Sequence, residues 1–400
     1  MKNDNTTRRH CAPVQWFIDM ARVFARQWWL TGRDMGALIF FLALPFAYPV
    51  VYTLIYNPEI VTRMPVAVVD NSRTEPSRQL VRTISASPAV DIYEYCPNLT
   101  EAKELFAENK VFAIVEIPED YARCLGRGEQ ATVPVYMEMS LLLRYRAMLS
   151  ALTDLQLKVA SDVTATRLET MGAEALGLSG GMPFNQGNNF LGDPNQGFAS
   201  FVMPGVFMLI VQQSMLLGIC LLMGTSRERA RRNGGIDPLS VQASPTARLL
   251  GTAMMCVVLY IPALLYLLKV MPAMFSLPEA GDFWQEMLFM LPYLLASAMF
   301  AQFVGGLCTE RESGFLVVVF TSLIFLFLSG LTWPRYAMSP FWKTISDMIP
   351  ATWGVEGFIR MNSNGASLAD ISVPFHWMWI LTAGYFLLAW AILRLTRPRT

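Results

Sequence analysis

Residues 198–223, FASFVMPGVFMLIVQQSMLLGICLLM, decide the fold because this run contains no acidic or basic side chain. About 20 apolar residues in a helix cross the roughly 30 Å hydrocarbon core of a bilayer. Five further runs carry no charge near their middle: Gly36–Tyr56, Leu249–Met271, Met287–Cys308, Gly314–Thr332 and Trp377–Leu395. The chain is 54% hydrophobic and 16% charged, whereas a soluble domain has about 25% charged residues. The sequence therefore predicts a polytopic α-helical membrane protein with six transmembrane helices.

The arginines predict the orientation of these helices, because short cytoplasmic loops carry an excess of Lys and Arg. Arginines concentrate in the N-terminal arm 1–35, in the loop 224–248 and at the C-terminal end, while the loop 272–286 has none. We therefore expect both termini in the cytoplasm and the long segment 57–197 outside.

The N-terminal arm has the pattern of an amphipathic helix. Its apolar residues recur at helical spacing: Val14, Phe17, Ile18, Ala21, Phe24 and Trp28. Polar side chains take the other face, which predicts a helix on the cytoplasmic leaflet. The alternative is a first helix packed on soluble protein.

The segment 57–197 alternates strand and helix patterns. Strand patterns are MPVAVVD (64–70), AVDIYEY (89–95), VFAIVEIP (111–118) and ATVPVYMEM (131–139). Helices between them are expected to start near Thr74 and Thr100, which can act as caps. The pattern predicts a small external α/β domain with βαβ crossovers, followed by a long helical stalk over Leu141–Gly177. The Gly/Asn/Pro-rich stretch 178–198 is predicted to return the chain to the membrane.

Cys96 and Cys124 are the only two cysteines of this predicted external domain. Oxidation is possible outside the cytoplasm, so a disulfide between them and a pair of free thiols both remain open.

No enzyme site is evident in the sequence. The chain contains no G-x-x-x-x-G-K-[ST] phosphate-binding loop, and its two histidines belong to no metal-ligand or nucleophile–base spacing. We therefore expect no cofactor, metal or catalytic residue, and the neutral net charge gives no sign of a nucleic-acid partner.

The predicted spans carry neutral polar residues, notably Gln212 and Gln213. They are either interhelical hydrogen-bond partners or substrate contacts along a pathway. An ion-driven carrier usually buries ionisable groups mid-span, so the energy for transport is expected to come from another chain.

Two stretches are candidate functional sites. The first is the basic loop 224–248, which reads either as a topology signal or as a docking site with a short helix after Asp237. Its charged residues are Arg227, Glu228, Arg229, Arg231, Arg232 and Arg248.

The second is the segment 333–376, in which prolines interrupt any long helix and aromatic residues suit a membrane interface. It is either a re-entrant external segment or an ordinary loop with aromatic anchors. Its candidate gate residues are Trp333, Pro334, Met338, Pro340, Pro350, Trp353 and Glu356.

Short motifs in the external domain and after the fifth span resemble those of a known family. In the external domain these are Val68-Val69-Asp70, Ser77-Arg78, Ile117-Pro118 and Gly126-Arg127-Gly128. After the fifth span they are Leu328-Ser329-Gly330, Pro334, Met338-Ser339-Pro340, Ile349-Pro350 and Glu356-Gly357. With the span pattern, they make nearly the whole chain resemble the permease subunit of an ABC-2-type transporter, in the exporter-like branch with a large external domain. After Ser226-Arg227-Glu228-Arg229 the chain continues with Ala-Arg-Arg-Asn-Gly-Gly and lacks the Gly-Thr pair that members often carry there.

The resemblance implies a permease of the bacterial inner membrane that works as a dimer, with itself or with a sister permease. It implies two separate ABC ATPase subunits that bind ATP, coupling through the 224–248 loop, a gate in 333–376 and a periplasmic adaptor as a further partner. The alternative from a different class is a membrane-anchored sensor or assembly protein without transport. A secondary carrier is a third reading.

Overall fold

The computed structural model describes residues 12–56, 62–127, 129–139, 142–170 and 197–395. The chain divides into two compact units, one of Met1–Asn57 with Phe190–Thr400 and one of Pro58–Asn189. The helices are α1 Ala12–Arg33, α2 Met35–Ile55, α3 Glu75–Ser85, α4 Leu99–Ala107, α5 Tyr121–Arg127, α6 Leu142–Thr170, α7 Phe198–Arg232, α8 Pro245–Phe275, α9 Phe283–Leu307, α10 Ser313–Leu328, α11 Pro340–Asp347, α12 Pro350–Asn362 and α13 Ser372–Leu395. The strands are β1 Met64–Asp70, β2 Val90–Tyr95, β3 Ala113–Ile117 and β4 Val135–Met137.

Among the described residues of the first unit, five helices are long and apolar enough to cross a membrane: α2, α7, α8, α9 and α13. They coincide with five of the six predicted spans. The sixth corresponds to α10, which has 16 residues and is therefore about 24 Å long. It ends before Gly330, whose φ of +88° is a left-handed conformation that a helix cannot contain. A sixth crossing thus stays a prediction.

Helix α7 is the centre of the first unit, and most of its apolar side chains are buried. It runs parallel to α9: the Tyr293 hydroxyl donates to the Met208 carbonyl, and twelve residues further along both helices Gly305 lies beside Cys220. Residues at the same offset from Met208 and Tyr293 therefore lie at the same level of the bundle.

Helix α1 has two faces in different surroundings. Val23 is buried against Gly251 of α8, and the Trp16 indole donates to Thr246 at 3.0 Å. The opposite stripe is exposed although it is apolar, and it consists of Val14, Phe17, Ala21, Ala25 and Trp28. An exposed apolar stripe at helical spacing is typical of a helix that lies on a membrane surface.

The second unit is an α/β domain, as predicted. Its sheet has the order β2-β1-β3-β4, with β1 parallel to both β2 and β3 and with β4 antiparallel to β3. The helices α3 and α4 are the crossovers between the parallel strands. Part of the predicted stalk belongs to this core, because Met148 of α6 is buried with Ile84 and Val115. The predicted return loop lies outside the described residues, apart from its last residues.

The helix starts are partly as predicted. Thr74 caps α3: its backbone N–H donates to the Ser77 hydroxyl at 3.0 Å, and its side chain accepts from the Ser77 N–H. The expected Thr100 cap is wrong, because Asn98 caps α4 and accepts the Glu101 N–H at 2.9 Å. Asn98 has the extended backbone that a cap requires, whereas Thr100 already lies in the first turn.

Cys96 and Cys124 are both free in the structure. Cys96 packs on one face of the sheet with Ala102 and Ile114. Cys124 lies on α5, whose Tyr121 packs in the cluster of the other face with Val115. Successive residues of a strand point to opposite faces, so Ile114 and Val115 separate the two environments.

Candidate functional site

The basic segment 224–248 is not a loop throughout, because α7 continues to Arg232. All of its predicted charged residues except Arg248 therefore lie on the last two turns of this helix. The short helix expected after Asp237 is absent: residues 236–244 form turns and irregular chain, and α8 begins at Pro245 with Ser244 as its cap.

Arg229 folds the chain back onto α7 through Asp237. Its Nε and Nη2 donate to the two oxygens of the Asp237 carboxylate, each at 3.1 Å. The Ser226 hydroxyl donates to the same carboxylate at 2.5 Å, and the Leu239 N–H at 3.0 Å. Such a bidentate, charge-assisted pair fixes geometry as well as energy. Arg229 is thus a structural residue of the turn after α7.

Asp237 is buried and remains ionised. Burial acts to raise the pKa of its carboxyl, but hydrogen bonds from Arg229, from Ser226 and from a backbone N–H outweigh burial and hold the pKa below its usual range. The carboxylate therefore neutralises Arg229 locally.

Arg227 points inward to the end of α9. Its guanidinium donates to the carbonyl oxygens of Gly306 and Cys308, which have no partner within the helix at its C-terminus. A cation there is also favoured by the helix dipole. Arg227 thereby joins the ends of α7 and α9.

Arg311, between α9 and α10, forms a second connection that joins distant parts of the chain. Its Nη2 and Nη1 donate to the Asp34 carboxylate at 2.7 and 2.9 Å, and Nη1 also donates to the Thr225 hydroxyl at 3.1 Å. The Arg311 N–H donates to Glu228 at 2.9 Å. Asp34 in turn caps α2 by accepting the N–H groups of Gly36 and Ala37. We call Asp34, Thr225, Glu228 and Arg311 the junction cluster.

The remaining basic residues of α7 face outward. Arg231 pairs with Glu310 at 3.3 Å, with both side chains 58% exposed, and Arg232 is exposed beside them in sequence. Ile236 follows at a turn made by Gly234 and Gly235, and 65% of its surface is accessible. Arg231, Arg232 and Ile236 form the exposed basic patch of this end of the bundle. Arg248 instead lines a cavity between α1 and the bundle.

The predicted gate segment folds as two short helices, α11 and α12. Pro340 and Pro350 occupy the first position of each helix, where the missing N–H costs nothing, and Pro334 precedes a short 3₁₀ turn. Trp333 is exposed and Met338 half-buried. The segment is therefore not an extended loop; its re-entry into a membrane stays a prediction.

Arg335 connects these two helices. Its guanidinium pairs with Glu356 of α12 and with Asp347 at the end of α11, and it lies 4.2 Å from the centre of the Trp353 ring. The Trp353 indole donates to the Asp347 carbonyl at 2.9 Å. Its ring also stacks on Trp377 of α13, with centroids 5.3 Å apart. Glu356 and Trp353 were predicted, whereas Arg335 and Asp347 were not.

Helix α12 is packed deep within the first unit. Ala351, Val355 and Phe358 are buried, and Gly354 lies against the ring of Tyr293 so closely that no side chain fits between them. This close approach holds the gate segment against α7 and α9.

The amides of Gln212 and Gln213 form no hydrogen bond with any described residue. Gln212 is fully buried, and the parallel register of α7 and α9 places it level with Ser297. The described residues thus offer these amides no interhelical hydrogen bond, although a buried unpaired amide is costly, and a role in the pathway stays a prediction.

The sequence contained a signal for only some of the missed residues. Asp34 directly precedes an apolar run and is a recognisable helix cap. Arg311 and Asp237 had no such signal, because their partners lie 277 and 8 residues away and depend on the turn geometry.

The family described as "ABC-2 family transporter protein" matches residues 35–391, which include the helices of the bundle from α2 to α12, the α/β unit and all but the last turn of α13. The chain matches no curated protein.

Proposed function

The chain belongs to the ABC-2 transporter family, and on that premise we propose that it is the permease subunit of an ATP-driven exporter in a bacterial inner membrane. Members of the family are multi-pass membrane transport components that work with ABC ATPase subunits. In our proposal two permease subunits enclose the pathway, two ATPase subunits bind on the cytoplasmic side, and the α/β domain lies outside, where it meets a periplasmic adaptor.

The observation that carries the proposal is the junction cluster together with the exposed basic patch. The patch offers Arg231, Arg232 and Ile236 to a partner at one end of the bundle. Directly behind it, Arg311 connects α7 with the start of α2. A push on the patch is therefore transmitted to several helices at once. The arginines of this end support a cytoplasmic location.

The second support is the rigid gate segment. Helix α12 packs on α7 where Ile359 lies against Gly205, and on α9 where Gly354 lies against Tyr293, so a displacement of these helices reaches Arg335 and its two carboxylates. We propose that α11 and α12 close the exit of the pathway on the outside and that Gln212 and Gln213 contact substrate when the bundle opens.

The experiment is co-purification from native membranes in mild detergent, with quantification of any protein that carries a phosphate-binding loop. We expect a stoichiometric ATPase subunit with the wild-type chain. The double variant Arg231→Glu/Arg232→Glu should lose it, because reversed charge at a docking patch costs affinity.

The matched control is Lys343→Glu, which reverses an exposed charge on α11 at the other candidate site. It should retain the ATPase. A wild-type chain that purifies without any ATPase, and that stimulates none when candidates are added, would favour the sensor or assembly reading.

A further inference from the structure

A cavity of about 240 Å³ lies between α1 and the bundle. Its walls come from α1, α7, α8, α9 and α13 and from the turn that contains Asp237. One part of its lining is apolar: Val23, Leu30, Ile219, Leu222 and Leu393. The other part is charged: Arg26, Arg227, Arg229, Arg248 and Asp237.

The charged part of the cavity lining has more arginines than carboxylates. Its one carboxylate, Asp237, is already paired with Arg229 and accepts two further hydrogen bonds. No described carboxylate lies within ion-pairing distance of Arg26 or Arg227. The only hydrogen-bond acceptors that the structure gives these two guanidinium groups are backbone carbonyls, Leu239 for Arg26 and two at the end of α9 for Arg227.

Such a site is complementary to an anion. A half-buried guanidinium presents planar, paired N–H donors, which match the oxygens of a phosphate in geometry and charge. Among the described residues, Arg26 donates a hydrogen bond only through Nε, to the Leu239 carbonyl. Its guanidinium lies 4.5 Å from the centre of the Trp29 ring, and this stacking orients the two terminal nitrogens.

The apolar walls indicate what carries the phosphate. A free phosphate would gain nothing from Val23, Leu30 or Leu222, whereas a hydrocarbon chain would bury them. The exposed apolar stripe of α1 also puts this helix against lipid, and basic pockets beside membrane helices bind anionic head groups.

We propose that the cavity is a binding site for an anionic phospholipid, with its phosphate between Arg26 and Arg227 and an acyl chain along the apolar wall. The lipid fills the space between α1 and the helices of the bundle. The site requires neither the ATPase nor a substrate, and its test is independent of the proposed transport function.

The test uses the purified full-length protein, delipidated in a neutral detergent and phosphate-free buffer. Phosphatidylglycerol and phosphatidylcholine are added separately, and bound lipid is counted by native mass spectrometry. We expect phosphatidylglycerol to bind more tightly than phosphatidylcholine. Arg26→Gln should weaken phosphatidylglycerol binding about tenfold, the effect of losing one charged hydrogen-bond partner.

Arg22→Gln is the control, because Arg22 lies one turn earlier on α1, pairs with Asp19 and does not line the cavity. It should leave binding unchanged. Gln27→Glu is the second variant: it places a negative charge at the cavity without touching the Arg26 contact with Leu239, and it should also weaken binding.

Three results would overturn the proposal. Equal binding of the two lipids would remove the role of charge, and an equal loss in Arg22→Gln and Arg26→Gln would assign binding to the general surface of α1. Displacement of phosphatidylglycerol by an equimolar amount of inorganic phosphate would show a site for free anions instead of a lipid.

Discussion

At the scale of single residues, the bundle mixes polar side chains that are fully used with others that are not. Gln302 of α9 donates to the Leu249 carbonyl at 3.2 Å, while Gln212 at the centre of α7 is equally enclosed but makes no hydrogen bond with a described residue. Replacing an unpaired buried polar group with an apolar group of similar shape is nearly neutral or stabilising, whereas removing a paired one leaves its partner unsatisfied.

We therefore predict that Gln212→Leu raises the free energy of unfolding by about 1 kcal/mol and lowers transport. Gln302→Leu is the matched control and should lower the free energy of unfolding, because the Leu249 carbonyl loses its donor. Denaturant titration in detergent measures both. If Gln212→Leu destabilises the protein as much as Gln302→Leu does, then Gln212 has a structural partner and no place in the pathway.

At the scale of secondary-structure elements, the sequence predicted the features that depend only on residues close together along the chain. The uncharged run in α7 and the short apolar run in β1 specify their own structure, since burial on all sides of a helix or on both faces of a strand appears directly as a pattern. The end of α7 was misplaced by nine residues because a helix continues past the membrane boundary without any change in backbone preference.

The missed contacts depend on distant partners. Asn98 and Thr100 can both cap a helix, and only the register of α4 on the sheet selects Asn98. Cys96 and Cys124 share a predicted domain, but the side of the sheet on which each lies follows from the fold. The charge of Arg335 was visible in the sequence, yet its two partners follow from the turn between α11 and α12.

The packing of α12 gives a prediction at this scale. Gly354 faces the Tyr293 ring with no room for a methyl group, while Gly384 of α13 has open space around it. Both positions gain helix propensity from alanine. We predict that Gly354→Ala lowers the free energy of unfolding by about 1–3 kcal/mol, the range for overpacking, and that Gly384→Ala leaves it unchanged or slightly higher. Equal behaviour of the two variants would mean that α12 is not held against α9.

At the scale of the whole membrane unit, the ion pairs are concentrated at its two ends. Arg335 ties α11 to α12 at one end, and Arg311 ties α2, α7 and the α9–α10 connection at the other. Between them the contacts are mostly apolar, with single hydrogen bonds such as those from Tyr293 to the Met208 carbonyl and from Gln302 to the Leu249 carbonyl, and apolar contacts allow helices to shift without breaking directional bonds. Motion in a bundle of this kind is expected to transfer between ends through whole helices.

The pair of Asp34 and Arg311 tests this transfer. Asparagine remains a good helix cap, so Asp34→Asn removes the charge and keeps the start of α2. Arg311→Gln removes the other charge and keeps the backbone donor to Glu228. In a double-mutant cycle with the double variant, residues in direct contact have coupling energies of about 0.5–3 kcal/mol, and we expect the upper half of that range for this half-buried, bidentate pair.

The same variants separate stability from coupling. If the junction cluster transmits the movement of the ATPase, each single variant should still bind the ATPase subunit through Arg231 and Arg232, yet should reduce the stimulation of ATP hydrolysis that accompanies transport. Stimulation that stays at the wild-type level in both single variants and in the double variant would restrict Asp34 and Arg311 to a role in folding, and the movement would then have to pass through the contact of Arg227 with the end of α9.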